Sequence, residues 1–142
     1  MVQLGRPFEV ARQAHPDLPL DPDLFLAFIA RRAPALDAGG VPVHVADLYL
    51  ACAALQGHPA ALEQLDCRLR ALLPRALRRL RLDDELRSEV LQRTRERLLL
   101  SPRGPKLAEF QGRGGLDPWL RAVLLRVALN LLGARPEVER EH

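Results

Sequence analysis

The chain has 142 residues and a mass of 15.9 kDa, one domain's worth, long enough to bury roughly two thirds of its unfolded surface. With 48% hydrophobic and 27% charged residues it is no disordered tail, and no apolar run reaches the roughly 18 residues that a membrane-spanning helix needs. Lys and Arg exceed Asp and Glu by 21 to 18, a net charge of +3, too small by itself to indicate nucleic-acid binding.

Strand signals are almost absent. Ile29 is the only isoleucine and Val41–Val45 the only stretch dense in β-branched residues, while Leu and Ala recur at helical spacing. The expectation is an all-α helical bundle. Helices are predicted at Phe8–Ala14, Pro22–Ala33, Val45–Gln56, Pro59–Leu80 and Asp84–Leu100, with a short piece at Lys106–Phe110 and a last helix at Pro118–Leu132. Asp21-Pro22, His58-Pro59 and Asp117-Pro118 each place an N-cap before a proline at the first helical position. Asp83 caps another helix, and Gly57 and Gly133 suit the position just past a helix end. Pro74 should kink or split the fourth helix. Ala33–Val43, with two prolines and Gly39-Gly40, reads as a linker. It divides an N-terminal helical arm and linker, residues 1–44, from a helical block at 45–135, followed by a polar tail at 136–142. The arm packs on the block or stays mobile, and leucines of the last three helices make the core.

No secretory signal precedes the first helix, so the expected location is cytoplasmic. Cys52 and Cys67 fit neither a disulfide framework nor a zinc motif and read as small core residues. No cofactor or metal is implied. Catalysis finds no support either. His15, His44, His58 and His142 form no metal-binding spacing, and Ser88 and Ser101 have no neighbouring base. The loop Gly112–Gly115 lacks the preceding strand and following Gly-Lys-Ser/Thr of a phosphate loop. The chain is expected not to be an enzyme.

Charge is distributed unevenly. Arg68–Arg81 holds six arginines and no acid, whereas Asp83–Glu89 is acid-rich, a contrast that suggests two different partners. On the helix from Asp84, Leu86, Val90, Leu91, Thr94 and Leu98 share one face at about 100° per residue. Glu85, Glu89, Gln92 and Glu96 form a narrow acidic stripe on another. That stripe is either a solvated face with a Glu89–Arg93 pair or a docking surface for a basic helix. On the last helix, Leu120, Leu124, Val127 and Leu131 make a core stripe, with Leu125, Leu129 and Leu132 as a second apolar side. Trp119, Val123, Arg126 and Asn130 line up as a mixed polar and aromatic stripe. An indole, a guanidinium and an amide in a row can stack on a base, neutralise phosphate and bond a base edge. The plainer alternative makes Trp119 an ordinary core residue. The Gly112–Gly115 loop, carrying Arg113, would let backbone approach a flipped base.

Two stretches carry a family likeness. Asp47-Leu48-Tyr49-Leu50-Ala51 followed by Gln56-Gly57-His58-Pro59-Ala60-Ala61-Leu62 resembles the first helix pair of the second region of bacterial sigma factors. Phe110 to Leu120, with Gly112 and Trp119-Leu120, resembles their Phe-x-Gly…Trp-Leu stretch, where promoter melting occurs. The likeness is nearest to extracytoplasmic-function sigma factors, in the Arg/Leu-rich myxobacterial branch that shares Arg95-Glu96-Arg97-Leu98-Leu99 and Ala128-Leu129-Asn130-Leu131-Leu132. It covers about Val45–Arg135. The chain departs from the family in four places. Glu85-Leu86-Arg87-Ser88-Glu89 stands where Asp-Leu-Val-Gln-Glu is common, and Arg126 where asparagine is. The closing basic run is reduced to Gly133-Ala134-Arg135. The sequence stops at His142 without the fourth region's helix-turn-helix, as expected of either a fragment or a free-standing module.

The resemblance implies a partner for each stripe. Glu85, Glu89, Gln92 and Glu96 would meet a basic coiled coil on the clamp of core RNA polymerase. Arg113, Trp119, Val123, Arg126 and Asn130 would meet the single-stranded melting element of promoter DNA. An anti-sigma factor is a further implied partner, and a membrane is not. Two other classes stay open: a polymerase-binding decoy without DNA recognition, and a helical interaction scaffold unrelated to polymerase.

Overall fold

The helix Val45–Leu55 (α3) lies at the centre of the molecule, and every residue from Leu48 to Ala54 is buried. A helix apolar all round must be covered on all sides, and the rest of the chain supplies the cover. The computed structural model describes residues 2–133, with side chains from Arg6 onward. Ahead of α3 run α1 (Val2–Ala14) and α2 (Pro22–Ala30). After it come α4 (Pro59–Ala76), α5 (Asp84–Leu99), a 3₁₀ turn at Lys106–Glu109, and α6 (Leu116–Gly133). Among the described residues there is no strand, only an isolated bridge between Leu36 and Pro42. The all-α expectation holds, and none of these helices is long and apolar enough to cross a membrane. The expected tail at 136–142 lies outside the described residues.

Local chemistry accounts for most boundaries. Asp21 accepts a hydrogen bond from the Leu24 N–H at 3.3 Å and Asp83 one from the Leu86 N–H at 2.8 Å, so both cap as expected. His58 occupies its N-cap position without a side-chain bond. Gly57 has φ +82° just past α3, the left-handed turn that favours glycine. Gly133, in contrast, is still helical. Helix α1 starts at Val2 and runs through Pro7 rather than starting behind it. Helix α2 stops at Ala30, short of Ala33, as Pro34 disfavours helical backbone before it. Helix α4 stops at Ala76 rather than Leu80, two residues past Pro74, whose ring and missing N–H weaken the ladder there.

The arm packs. Phe8, Phe25 and Tyr49 form an aromatic cluster with ring centroids 5.0 to 6.4 Å apart. The Tyr49 hydroxyl donates to the Leu18 carbonyl. Burying Phe25 alone contributes about 1.5–3 kcal/mol. The core is therefore centred on α3 and shared by all the helices. Leucines of the later helices, among them Leu98, Leu120, Leu124 and Leu131, complete it. Cys52 is buried, which pushes its thiol up to about 11. Cys67 is exposed on α4, so it is no core residue; its position falls on the outer face of that helix.

Residues 33–43 form a folded turn. Asp37 Oδ1 accepts from the Gly39 and Val41 N–H groups at 2.8 and 3.0 Å, and the Ala35 N–H reaches the Gly112 carbonyl at 3.3 Å. Gly112 itself has φ +74°, and a Cβ there would lie 2.8 Å from Leu48 Cδ1. Only glycine fits both the backbone and the space. Arg32 ties α2 to the 3₁₀ turn, donating to the Phe28 and Phe110 carbonyls at 2.7 and 2.8 Å.

The start of α6 departs from expectation. Asp117 does not cap it, because the helix begins at Leu116, two residues before the expected Pro118. The Leu116 N–H donates instead to Asp47 Oδ2 at 2.8 Å, across from α3. Arg68 of α4 bonds Asp47 Oδ1 at 3.0 Å and Asp117 Oδ1 at 3.3 Å. One carboxylate thus joins three helices. Asp47→Ala should destabilise the protein by about 1–3 kcal/mol, the range for stranding a partly buried donor. Asp47→Asn should recover part of that, as measured by urea unfolding.

His15 supplies a pH dependence. Its Nε2 faces the Ala46 carbonyl at 3.0 Å and its ring stacks on Tyr49 at 6.0 Å. Burial lowers its pKa below the ordinary 6.5, and the cationic Arg68 nearby acts the same way, outweighing the Ala46 carbonyl and Asp47. The unfolded chain then binds the proton more readily than the folded one. Stability from this site is complete above pH 6.5 and is lost as pH falls towards the folded value. The thermal midpoint should drop between about pH 7 and pH 5, and His15→Gln should flatten that drop.

Candidate functional site

The α6 residues from the mixed stripe face a groove between α5 and α6. Trp119, Val123 and Arg126 line a cavity of about 380 Å³ together with Arg97 of α5 and Lys106 of the 3₁₀ turn. Farther along, Asn130 lines a second cavity of about 280 Å³ with Arg93, Glu96 and Arg97. Arg97 borders both, so the two hollows lie next to each other along the groove. The helical spacing explains the alignment: positions three or four apart stack on one face of α6.

The stripe's members differ in exposure. Val123 is only 7% exposed and serves as wall, whereas Arg126 and Asn130 are exposed. Trp119 is half-buried. Its ring packs edge-on against the buried Phe110, centroids 5.6 Å apart at 61°, a favourable aromatic geometry. The indole is thus part core and part groove, between the two alternatives set by the sequence. Arg113 does not join them. It is exposed, and its Nε donates to the Ala33 carbonyl at 3.3 Å, holding the Gly112–Gly115 loop to the 33–43 turn.

On α5, Glu85, Gln92 and Glu96 are exposed and Glu89 half-buried. The expected Glu89–Arg93 pair is present at 3.0 Å. Gln92 Nε2 reaches Glu96 Oε2 at 3.4 Å. Glu96 also lines the groove with Asn130, so the acidic stripe and the α6 stripe meet at one edge of the molecule. Arg95, between Gln92 and Glu96 in sequence, pairs with Asp66 of α4 at 2.5 Å and donates to Gln92 Oε1 at 3.4 Å.

Two groove residues escaped the sequence reading, Arg97 and Lys106. Arg93 and Arg97 are four apart and share a side of α5, a signal that the acidic stripe overshadowed. Lys106 is the only lysine, and its distance from Trp119 along the chain hides their proximity. Lys106 pairs with Glu109 at 2.9 Å, while among the described residues neither Arg97 nor Arg126 has an ion-pair partner. Cationic groups around one indole suit a planar group attached to an anion, such as a base with its phosphate. Among the described residues no three His, Cys, Asp or Glu side chains could hold a metal ion.

No protein-family model, no curated protein and no solved structure matches this chain.

The half-buried setting of Trp119 predicts an intermediate cost of truncation. Trp119→Ala should destabilise by ~2 kcal/mol, less than the ~3–5 kcal/mol of a full core truncation, with helical circular dichroism retained at room temperature. A chain unfolded at room temperature would make Trp119 core alone.

Proposed function

We propose that the chain acts in transcription initiation as a sigma-like second region, holding single-stranded promoter DNA in the α5–α6 groove. The observation that carries this reading is the grouping of Trp119, Arg126, Arg97 and Lys106 around one open hollow. The indole stacks on a base, and the guanidinium groups and ammonium neutralise the backbone. Asn130, farther along the groove, bonds a base edge. Core RNA polymerase docks on Glu85, Glu89, Gln92 and Glu96 through the basic coiled coil of its clamp, with complementary charge giving salt-sensitive association. The two partners then sit side by side, because Glu96 borders the groove. No catalytic step is assigned. The setting is cytoplasmic, and an anti-sigma factor competing for the α5 edge is a further partner.

A second reading has one observation in its favour. Glu96 lines the groove beside Asn130, and a carboxylate repels phosphate there. A decoy that occupies the clamp without touching DNA would tolerate it. Transcription from a pre-melted template discriminates the two: a factor stimulates initiation and a decoy inhibits competing sigma factors.

Stacking is worth roughly 1–3 kcal/mol per base, so the free chain should bind single strands weakly and duplex negligibly. Anisotropy of a labelled single strand should fall with Trp119→Ala and with Arg126→Ala. In a parallel arm, capture of core polymerase should be lost with a Glu85→Lys, Glu89→Lys, Glu96→Lys triple variant. Unchanged strand binding removes the groove from the proposal, and unchanged capture moves the docking surface elsewhere.

A further inference from the structure

The arginine-rich run between Arg68 and Arg81 is not used by the groove. Its first members are engaged: Arg68 pairs with Asp47 and Asp117, and Arg70 with Asp66. The later ones are not. Arg75 at the end of α4, Arg78 and Arg79 in the turn behind it, and Arg121 of α6 line a single open hollow of about 360 Å³. No acidic side chain lines it. Among the described residues none of these four arginines has an ion-pair partner. The end of α4 produces the arrangement. The helix stops at Ala76, Leu77 is buried, and the turn around it leaves Arg78 and Arg79 exposed beside α6. Four like charges gathered at one hollow repel one another and add nothing to folding unless an anion offsets them.

We infer that this hollow between α4 and α6 is a second binding surface, for the phosphodiester backbone of single-stranded nucleic acid. Three observations select that occupant. Every cation lining it is arginine, whose planar fork matches phosphate oxygens in pairs. The rest of its lining is apolar, with exposed Pro118 and Leu125 available to sugars. Ala122 lines both this hollow and the Trp119 groove, so a strand leaving the groove reaches the arginines by crossing one small residue. The surface extends the strand path of the groove but does not depend on it.

The test is the salt dependence of binding to a labelled oligothymidylate of about twelve nucleotides, within the usual site sizes of about 4–16. Each lost phosphate contact lowers the slope of log K against log salt by about 0.7 for single strands. Arg78→Ala/Arg79→Ala should therefore lower it by about 1.4 with the melting curve unchanged, and Arg78→Lys/Arg79→Lys should restore most of it. Arg75→Ala/Arg121→Ala should act in the same direction from the other side of the hollow. A slope unchanged in both alanine variants overturns the inference. So does absence of oligonucleotide binding at low salt, or binding of anionic phosphatidylglycerol vesicles in its place. Arg126→Ala separates the two surfaces. If it is silent while the Arg78 and Arg79 variant weakens binding, the groove reading fails and this one stands; the converse sinks this one alone.

Discussion

The carboxylate of Asp47 fixes where α6 begins, and both grooves depend on that helix. It sits on the central helix, takes the Leu116 N–H with one oxygen and Arg68 with the other. A helix N-terminus exposes unpaired N–H groups and a partial positive charge, which an acid from a neighbouring helix satisfies as well as a local cap. Arg68 then pairs with both Asp47 and Asp117, and the negative charge left over lies beside the partial positive charge of the α6 N-terminus. Side-chain exposure there is 20% for Asp47 and 30% for Arg68, partly screened from water and stronger than an open surface pair. Moving that anchor would rotate or slide α6, and with it Trp119, Arg121 and Arg126 together.

Seen from α6, the surface divides by chemistry. One flank holds the indole with Arg126, Arg97 and Lys106; the other holds Arg121 with the arginines behind α4. Between them the helix exposes Leu125 and Leu129, 38% and 50% accessible. Their mixed setting explains why the sequence pattern showed a second apolar side that the core does not use. Lone exposed leucines are ordinary; here they are flanked by guanidinium groups whose stems can cover them.

What was legible in the sequence was what repeats locally. The period of Leu120, Leu124, Val127 and Leu131 gave the buried face of α6, and Asp21 and Asp83 gave real caps, because each depends on residues within a turn or two. Illegible features were those that join distant segments. Asp47 reads as a family motif residue, yet its partners Arg68 and Leu116 are remote in sequence. Gly112 reads as permissive loop chemistry, yet it is fixed by the leucine of α3 beneath it. Phe8 of α1 and Phe25 of α2 meet Tyr49 across long stretches of chain, an aromatic junction that only tertiary packing reveals. The same limit applied to the groove: the α6 half was visible on a helical wheel, while Arg97 and Lys106 came from other elements.

The aromatic inventory has an optical consequence. The chain holds one tyrosine and one tryptophan. Tyr49 lies fully buried where the arm meets α3, and burial holds its phenol pKa above the ordinary 10.0. Trp119 lies on α6, half-buried at the groove. The two ultraviolet chromophores are thus natural, separately addressable labels for the two ends of one core. Concerted loss of both signals marks a two-state molecule, whereas tyrosine changing before tryptophan would mark the arm as a separate cooperative unit.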